Sequence, residues 1–219
     1  SEANVESGEL LLTMEAKKAA AFAIGDKDYD NDNSPDWDDS DSDNDGIDDE
    51  FDTFTCLNGR LGTRKEFNIT VNESADTGKE LKGKNKVGIK DKNKKIVEFD
   101  ANFSKDRLDC REISVEKQPQ VTTRGYTLIK GINLANETKT AYVDKIAAFN
   151  RVCIKDADIN SIDEVTQNCN GDSEILIMCN GSYNKGYACT DLGTQYKVEG
   201  LKHSAVVEPS SCQESWSCT

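Results

Sequence analysis

Apolar and polar residues alternate along short stretches of the chain from residue 54 onward. In residues 66–72, EFNITVN, the apolar side chains of Phe67, Ile69 and Val71 are separated by Asn and Thr. Residues 95–103, KIVEFDANF, repeat this period of two. Because successive side chains of a strand point to opposite faces, such alternation predicts strands with one buried face.

Further strand candidates follow at short intervals and are separated by Gly, Asn and Asp, which favour turns. They lie at residues 108–116, 123–132, 151–159, 174–179, 184–190 and 194–201. Residues 140–150 fit either a strand or a helix, and residues 161–164, SIDE, have the spacing of a capping box that begins a helical turn. We therefore predict a mainly β domain over residues 54–209, an antiparallel β-sandwich of immunoglobulin-like type.

Residues 1–25 form an apolar segment of a different kind. Leu11, Met14 and Phe22 fall near helical spacing, and Gly25 follows as a helix-ending residue. The apolar residues do not form one clean stripe, because LLL and AAAFAI would be apolar on every side of a lone helix. Such a segment requires burial. We expect it to pack on its own domain or to dock, as a helix or an added strand, into a neighbouring copy of the same chain.

Negative charge is concentrated between the apolar segment and the predicted β domain. Residues 26–52 contain thirteen Asp and Glu50 against Lys27, so 13 of the 14 net negative charges of the 219-residue chain lie in this stretch. An acidic run of this density is typical of a solvated, disordered segment. The spacing of the aspartates argues instead for two calcium loops of the twelve-residue kind.

The two predicted loops follow one another at an offset of thirteen residues. Ligand positions 1, 3, 5, 9 and 12 of the first loop are occupied by Asp28, Asp30, Asp32, Asp36 and Asp39. The second set, which adds a backbone carbonyl at position 7, is Asp41, Asp43, Asp45, Ile47, Asp49 and Asp52. Gly46 supplies the sharp turn at position 6, and Asn33, which tolerates left-handed backbone, replaces it in the first loop. Oxygen ligands without nearby His or Cys predict at least two calcium ions rather than zinc.

The tandem DxDxDG pattern of residues 26–53 resembles the thrombospondin type 3 repeat, in which calcium ions line a chain with little secondary structure. The resemblance implies a structural calcium segment without the helices of an EF-hand. The end of the chain, SCQESWSCT, resembles the opening of a thrombospondin type 1 module and implies that residues 210–219 are the stub of a further module. DSDNDG followed by VCIKDADI, YKVEGLKHS and a Cys-rich tail is similar to secreted modular surface proteins of small uncultivated archaea, which implies a surface location.

Eight cysteines and five N-glycosylation sequons indicate a secreted protein. The cysteines lack the paired motifs of zinc sites, and their spacing suggests, among many connectivities, the disulfides Cys56–Cys110, Cys153–Cys169, Cys179–Cys189 and Cys212–Cys218. The sequons predict N-linked glycans on Asn68, Asn72, Asn102, Asn136 and Asn180. No signal peptide or transmembrane run is visible in the sequence, so we expect a mature extracellular or cell-surface chain.

The remaining motifs argue against two classes of function. Residues 78–95 carry eight lysines around a short VGI strand, but without interleaved aromatic residues they do not indicate nucleic-acid binding. They form solvated turns or meet the acidic segment of a neighbouring copy. The single histidine, His203, adjoins Ser204 without any hydrolase or metalloprotease motif. We expect His203 to pack at a strand edge, where it and Ser204 point to opposite faces, so the sequence predicts no enzyme.

Together these patterns predict four segments: an apolar terminus at 1–25, calcium loops at 26–53, a β-sandwich at 54–209 and a tail at 210–219. The predicted function is that of a calcium-stabilised, glycosylated structural subunit, which assembles head to tail with copies of itself into an extracellular filament or surface layer. The alternative is a secreted adhesin or carbohydrate-binding module. Such a module needs an exposed aromatic platform, whereas aromatic residues are 7% of this chain and fall mostly on inward strand positions.

Overall fold

A computed structural model of the chain describes residues 27–56, 60–61, 64–75, 80–119, 122–134, 137–147, 149–203 and 205–209. The chain divides into two compact units, Ser1–Asp52 and Thr53–Thr219. The expectations for the apolar segment at 1–25, for the tail with its Cys212–Cys218 bridge and for the sequon at Asn136 concern residues outside the described ranges.

The described part of the second unit consists mainly of β-strands and contains no α-helix. A short 3₁₀ turn at Ile162–Glu164 interrupts the strand succession. The strands are β1 (Phe54–Thr55), β2 (Arg60–Leu61), β3 (Arg64–Val71), β4 (Lys84–Asp91), β5 (Lys94–Asn102), β6 (Leu108–Asp109), β7 (Ser114–Lys117), β8 (Tyr126–Lys130), β9 (Lys139–Asp144), β10 (Arg151–Lys155), β11 (Glu174–Met178), β12 (Asn180–Asn184), β13 (Tyr187–Asp191), β14 (Gln195–Leu201) and β15 (Ala205–Val207).

Two antiparallel sheets contain most of these strands. The larger sheet has the order β12-β13-β14-β9-β5-β4-β3-β2, and the smaller has the order β11-β10-β15-β8-β7. Strands β1 and β6 form a separate short parallel pair. The hydroxyl of Thr127 in β8 donates a hydrogen bond of 2.9 Å to the carbonyl oxygen of Tyr142 in β9, which links the two sheets. The predicted mainly β class with antiparallel sheets is confirmed.

The period of two in the sequence marks the buried faces of the larger sheet correctly. Phe67, Ile69 and Val71 of β3 are each at most 3% exposed, whereas Asn68 between them is exposed. The alternating apolar residues of 95–103 are buried to the same extent, namely Val97, Phe99, Ala101 and Phe103, and the adjacent Ile96 is buried as well. Burial of one face of each strand therefore supplies most of the apolar core, which is the dominant favourable term in folding.

Other elements differ in extent from the sequence predictions. The predicted strand at 108–116 is two strands, β6 and β7, and the VGI strand extends over the eight residues of β4. The ambiguous stretch at 140–150 contributes strand β9 and no helix. Strands β12 and β15 were not predicted. All five residues of β12 are exposed, so no buried face imposes an alternating pattern on its sequence.

The two local predictions at 161–164 and at His203 have opposite outcomes. The capping box is confirmed, because Ser161 accepts a backbone hydrogen bond while Glu164 accepts one from the backbone of Ser161. The expectation that His203 lies on a strand is wrong. The Lys202 amide donates to the Asp156 carboxylate at 3.0 Å, which turns the chain out of the sheet between β14 and β15.

Three disulfides cross-link the part of the second unit that the structure describes. Cys56–Cys110 joins the ends of β1 and β6, and Cys153–Cys169 ties β10 to the loop after the 3₁₀ turn. Cys179–Cys189 joins the β11–β12 connection to β13. These are three of the four pairings that the cysteine spacing suggests.

A buried glutamate, Glu208, ties three segments of the second unit together. Its side chain is fully buried, with 0% exposure. Its Oε2 accepts a hydrogen bond of 2.6 Å from the Gly125 amide and bonds of 3.0 Å from the amides of Ile146 and Ala147. A charged acceptor of several backbone amides makes strong hydrogen bonds in a buried site, so Glu208 is a structural residue of this fold.

Candidate metal centre

The first acidic loop brings three predicted ligands together. Ligand oxygens of Asp28, Asp30 and Asp32 lie within 4.8 Å of one another. The chain reaches this conformation through left-handed residues, with φ of 65° at Asn31 and 78° at Asn33. Asparagine tolerates this region better than other non-glycine side chains do, which explains how the loop adopts this conformation without a glycine at position 6.

The second loop has the same arrangement. Ligand oxygens of Asp41, Asp43 and Asp45 also lie within 4.8 Å of one another. The left-handed positions recur at Asn44, with φ of 57°, and at Gly46, with φ of 92°. The two groups are therefore built from equivalent residues at an offset of thirteen.

Hydrogen bonds inside the two loops repeat at the same offset. In the first loop the Asn33 amide donates to Asp28 Oδ2 at 3.2 Å, and in the second the Gly46 amide donates to Asp41 Oδ2 at 2.9 Å. The position-9 carboxylates fold back in both loops: Asp36 Oδ1 accepts from the Tyr29 amide at 2.8 Å, and Asp49 Oδ1 accepts from the Ser42 amide at 3.1 Å.. Two loops with different sequences thus adopt one backbone geometry.

The other predicted ligands lie outside the two groups of three. The charge of Asp39 acts on Asp30, and the charges of Asp49 and Asp52 act on Asp45, so the carboxylates at positions 9 and 12 lie near these groups. Ile47 is half-buried, and its amide donates to Asp45 Oδ1 at 2.9 Å. The first-half ligands are thus grouped in space, with Asp39 near the first group and Asp49 and Asp52 near the second.

Burial of several carboxylates indicates that a cation fits these loops. Asp43 is 4% exposed and Asp52 is 3% exposed. Atom Oδ2 of Asp30 is buried and accepts no hydrogen bond from the described residues. Burying a carboxylate costs free energy unless a cation or hydrogen bonds compensate it. A hard divalent ion with oxygen ligands would provide that compensation, and 6 to 8 oxygens is the number that calcium takes.

Burial and the charges of neighbouring carboxylates shift the pKa of two aspartates in the loops. Burial, together with the charges of Asp32 and Asp39, raises the pKa of Asp30 above its ordinary value. Burial, together with the charges of Asp52, Asp41 and Asp49, raises the pKa of Asp45 in the same way. In the metal-free loops these groups therefore favour the fold at low pH, and that contribution is lost as the pH rises through the raised pKa.

Two residues of the segment act in ways that ligand spacing does not predict. The fully buried Ser42 donates its hydroxyl to Asp49 Oδ2 at 2.7 Å. The Asn44 side chain lies beside Asp30 of the other loop and opposes the rise of the Asp30 pKa, which brings the two loops together. Asn recurs at position 4 of both loops, as Asn31 and Asn44. This recurrence is the sequence signal that points to Asn44.

Asp43→Asn is expected to weaken calcium binding at the second loop by about tenfold, because the affinity of such loops depends on the charge of their ligands. Isothermal titration calorimetry measures the change. Asp48→Asn is the matched control, since it removes the same charge at exposed position 8, which is not a ligand position. An equal loss in both variants would show that overall charge, rather than the cage, holds the ion.

The sequons and the lysine run lie on the second unit. Asn68, Asn72 and Asn180 are exposed, and Asn102 is half-buried. The lysines of β4 and its neighbours form ion pairs within the larger sheet, including Lys86 with Glu98 at 3.2 Å. These lysines therefore form ion pairs with carboxylates of their own sheet. Each such surface pair adds at most about 1 kcal/mol to the free energy of unfolding.

Neither a membrane-spanning helix nor a similar protein of known function helps to assign a function to this chain. No helix within the described ranges has the length and apolar character needed to span a bilayer. No protein-family model, curated protein sequence or solved structure matches the chain.

Proposed function

We propose that this chain is an extracellular structural protein, a calcium-stabilised and glycosylated subunit that assembles with copies of itself into a filament or surface layer. The observation that carries the proposal is the duplicated acidic loop, with equivalent left-handed residues and hydrogen bonds at an offset of thirteen. Two such loops in direct succession form a metal-dependent connector, as the resemblance to thrombospondin type 3 repeats implies.

Calcium is the proposed ion for both loops, with Asp28 to Asp39 and Asp41 to Asp52 as ligand segments. The donor set is entirely oxygen, which hard cations prefer, and it includes flexible carboxylates that suit a large coordination shell. The ion would supply the positive charge that the buried carboxylates require. Extracellular calcium loops have Kd values of about 10⁻⁴ to 10⁻³ M, so this connector would be rigid in a calcium-rich medium.

An extracellular location is supported by the cysteine chemistry. Three disulfides in the described residues are compatible with an oxidising compartment. Exposure of Asn68, Asn72 and Asn180 would allow N-linked glycans to project into solvent without disturbing the buried faces. The second unit would serve as an immunoglobulin-like sandwich that carries these glycans, and no catalytic role is proposed for it.

Self-assembly would use the apolar segment at 1–25 as the docking element. Negative-stain electron microscopy of the native protein with calcium is expected to show filaments or sheets, and a chelator is expected to disperse or loosen them. Deletion of residues 1–24 should leave a folded, calcium-binding monomer. Isolated particles of the intact protein under both conditions, or continued assembly of the truncated protein, would contradict the proposal.

A further inference from the structure

Most lysines of the second unit are neutralised by ion pairs. The paired set is Lys82, Lys84, Lys86, Lys90, Lys94, Lys95, Lys117, Lys145, Lys155 and Lys197. Lys105, Arg107 and Lys202 are exposed, and their side chains make no hydrogen bond or ion pair within the described ranges. These three cations line a single cleft of about 470 Å³. The other exposed lysines of this unit without a described partner, Lys92 and Lys185, each lie at a separate hairpin turn.

The acidic residues of the cleft are already engaged. Asp106 accepts the Asn102 amide at 2.7 Å, and Glu137 pairs with Lys84 at 3.2 Å. The buried Lys139 ammonium donates to the carbonyls of Ile132 and Lys202, which joins two of the loops that line the cleft. The described lining of the cleft therefore carries three cations against two engaged carboxylates, on a framework fixed by Lys139, and suits an anionic ligand.

The acidic segment retains carboxylates that calcium loops do not use. Asp48 and Glu50 occupy positions 8 and 10 of the second loop, which are not ligand positions. Both side chains are exposed and make no ion pair within the described ranges.

We propose that the cleft of one copy binds Asp48 and Glu50 of a second copy. The proposal rests on the proposed assembly and names the contact that orients one subunit on the next. Charge complementarity supports it, because this chain concentrates its negative charge in one segment, and three of the described exposed cations without an ion pair lie together in one cleft. The described lining of the cleft contains no Phe, Tyr or Trp, which disfavours a saccharide as its occupant. The lysine run at 78–95 is a poorer acceptor because its lysines pair within their own sheet.

Zero-length cross-linking of mixed isotopes tests this contact. Unlabelled and ¹⁵N-labelled protein are combined with calcium, and a carbodiimide couples lysine amines to adjacent carboxylates. We expect mass spectrometry to detect peptides that join Lys105 or Lys202 to Asp48 or Glu50, with one partner labelled and the other not. Absence of these mixed-isotope peptides would overturn the proposal.

Charge reversal provides the second test. Lys105→Glu with Arg107→Glu is expected to reduce the mixed-isotope cross-links from Lys202 by about tenfold. Lys92→Glu with Lys185→Glu is the matched control and is expected to change nothing. Mixing the first variant with an Asp48→Lys, Glu50→Lys variant should restore cross-links through the reversed charges. Filaments that form equally from the wild type and from Lys105→Glu/Arg107→Glu would overturn the cleft contact but not the proposed function, whereas absence of filaments from the wild type would contradict the proposed function itself.

Discussion

Removal of calcium is expected to unfold residues 27–52 and to leave the strands of the second unit intact. These residues contain no strand or helix, and the buried residues among them are Pro35, Ser42, Asp43 and Asp52. Almost no apolar surface therefore holds the segment together, while the carboxylates repel one another. An ion at a hundred times its Kd contributes roughly 2.7 kcal/mol per site, so its removal would accelerate amide exchange there by about a hundredfold.

Hydrogen exchange measured by mass spectrometry, with and without a calcium chelator, follows this change by segment. The amides of Asn33 and Gly46, which donate to Asp28 and Asp41, report on the two loops separately. The melting temperature is expected to fall in the same comparison. Magnesium at equal concentration is the control, because it demands a smaller, octahedral shell and should not restore protection. Unchanged exchange and an unchanged melting curve after chelation would remove the calcium assignment.

Glu208→Ala is expected to destabilise the second unit by about 3 to 5 kcal/mol, because it leaves the buried amide of Gly125 and the partly buried amides of Ile146 and Ala147 without this acceptor. Gly125, Ile146 and Ala147 all donate to this one carboxylate. A loss of this size is a large fraction of the stability of an ordinary domain, which is about 5 to 15 kcal/mol. Urea denaturation followed by circular dichroism gives the free energy of unfolding.

Two further variants make the Glu208 result specific. Glu112→Ala removes an exposed glutamate whose side chain makes no hydrogen bond within the described ranges, and it should change stability by at most about 0.5 kcal/mol. Glu208→Gln keeps the size of the side chain but replaces one acceptor oxygen with a donor, so an intermediate loss is expected. Equal stability of the Glu208→Ala and Glu112→Ala variants would contradict the structural role of Glu208.

The strands that the sequence predicts well are those in which burial dictates the residues. Phe67, Ile69 and Val71 alternate because one face of β3 is in the core, and the same constraint produces the pattern of β5. Strand β12 has no such constraint. It is held by pairing with β13, for example Tyr183 opposite Ala188, and backbone pairing leaves no mark on the identity of side chains.

The candidate metal centre could be predicted in part because its ligands come from neighbouring residues. Spacing alone identified Asp41, Asp43 and Asp45, whose oxygens the structure groups together. The link from Asn44 to Asp30 joins two loops, and the contacts of Glu208 cross 61 to 83 residues of sequence. Contacts of that range depend on the folded path of the chain, which no local pattern encodes.

The position of the Cys56–Cys110 disulfide has a mechanical consequence. Tension that enters the second unit from its N-terminal side reaches Cys56 within a few residues and passes through the covalent bond to Cys110. The intervening sequence, 54 residues in separation, carries none of that load. While the bond is intact, tension cannot unfold strands β2 to β5 and so cannot lengthen the chain between Cys56 and Cys110. The unit would therefore not extend under load in this region.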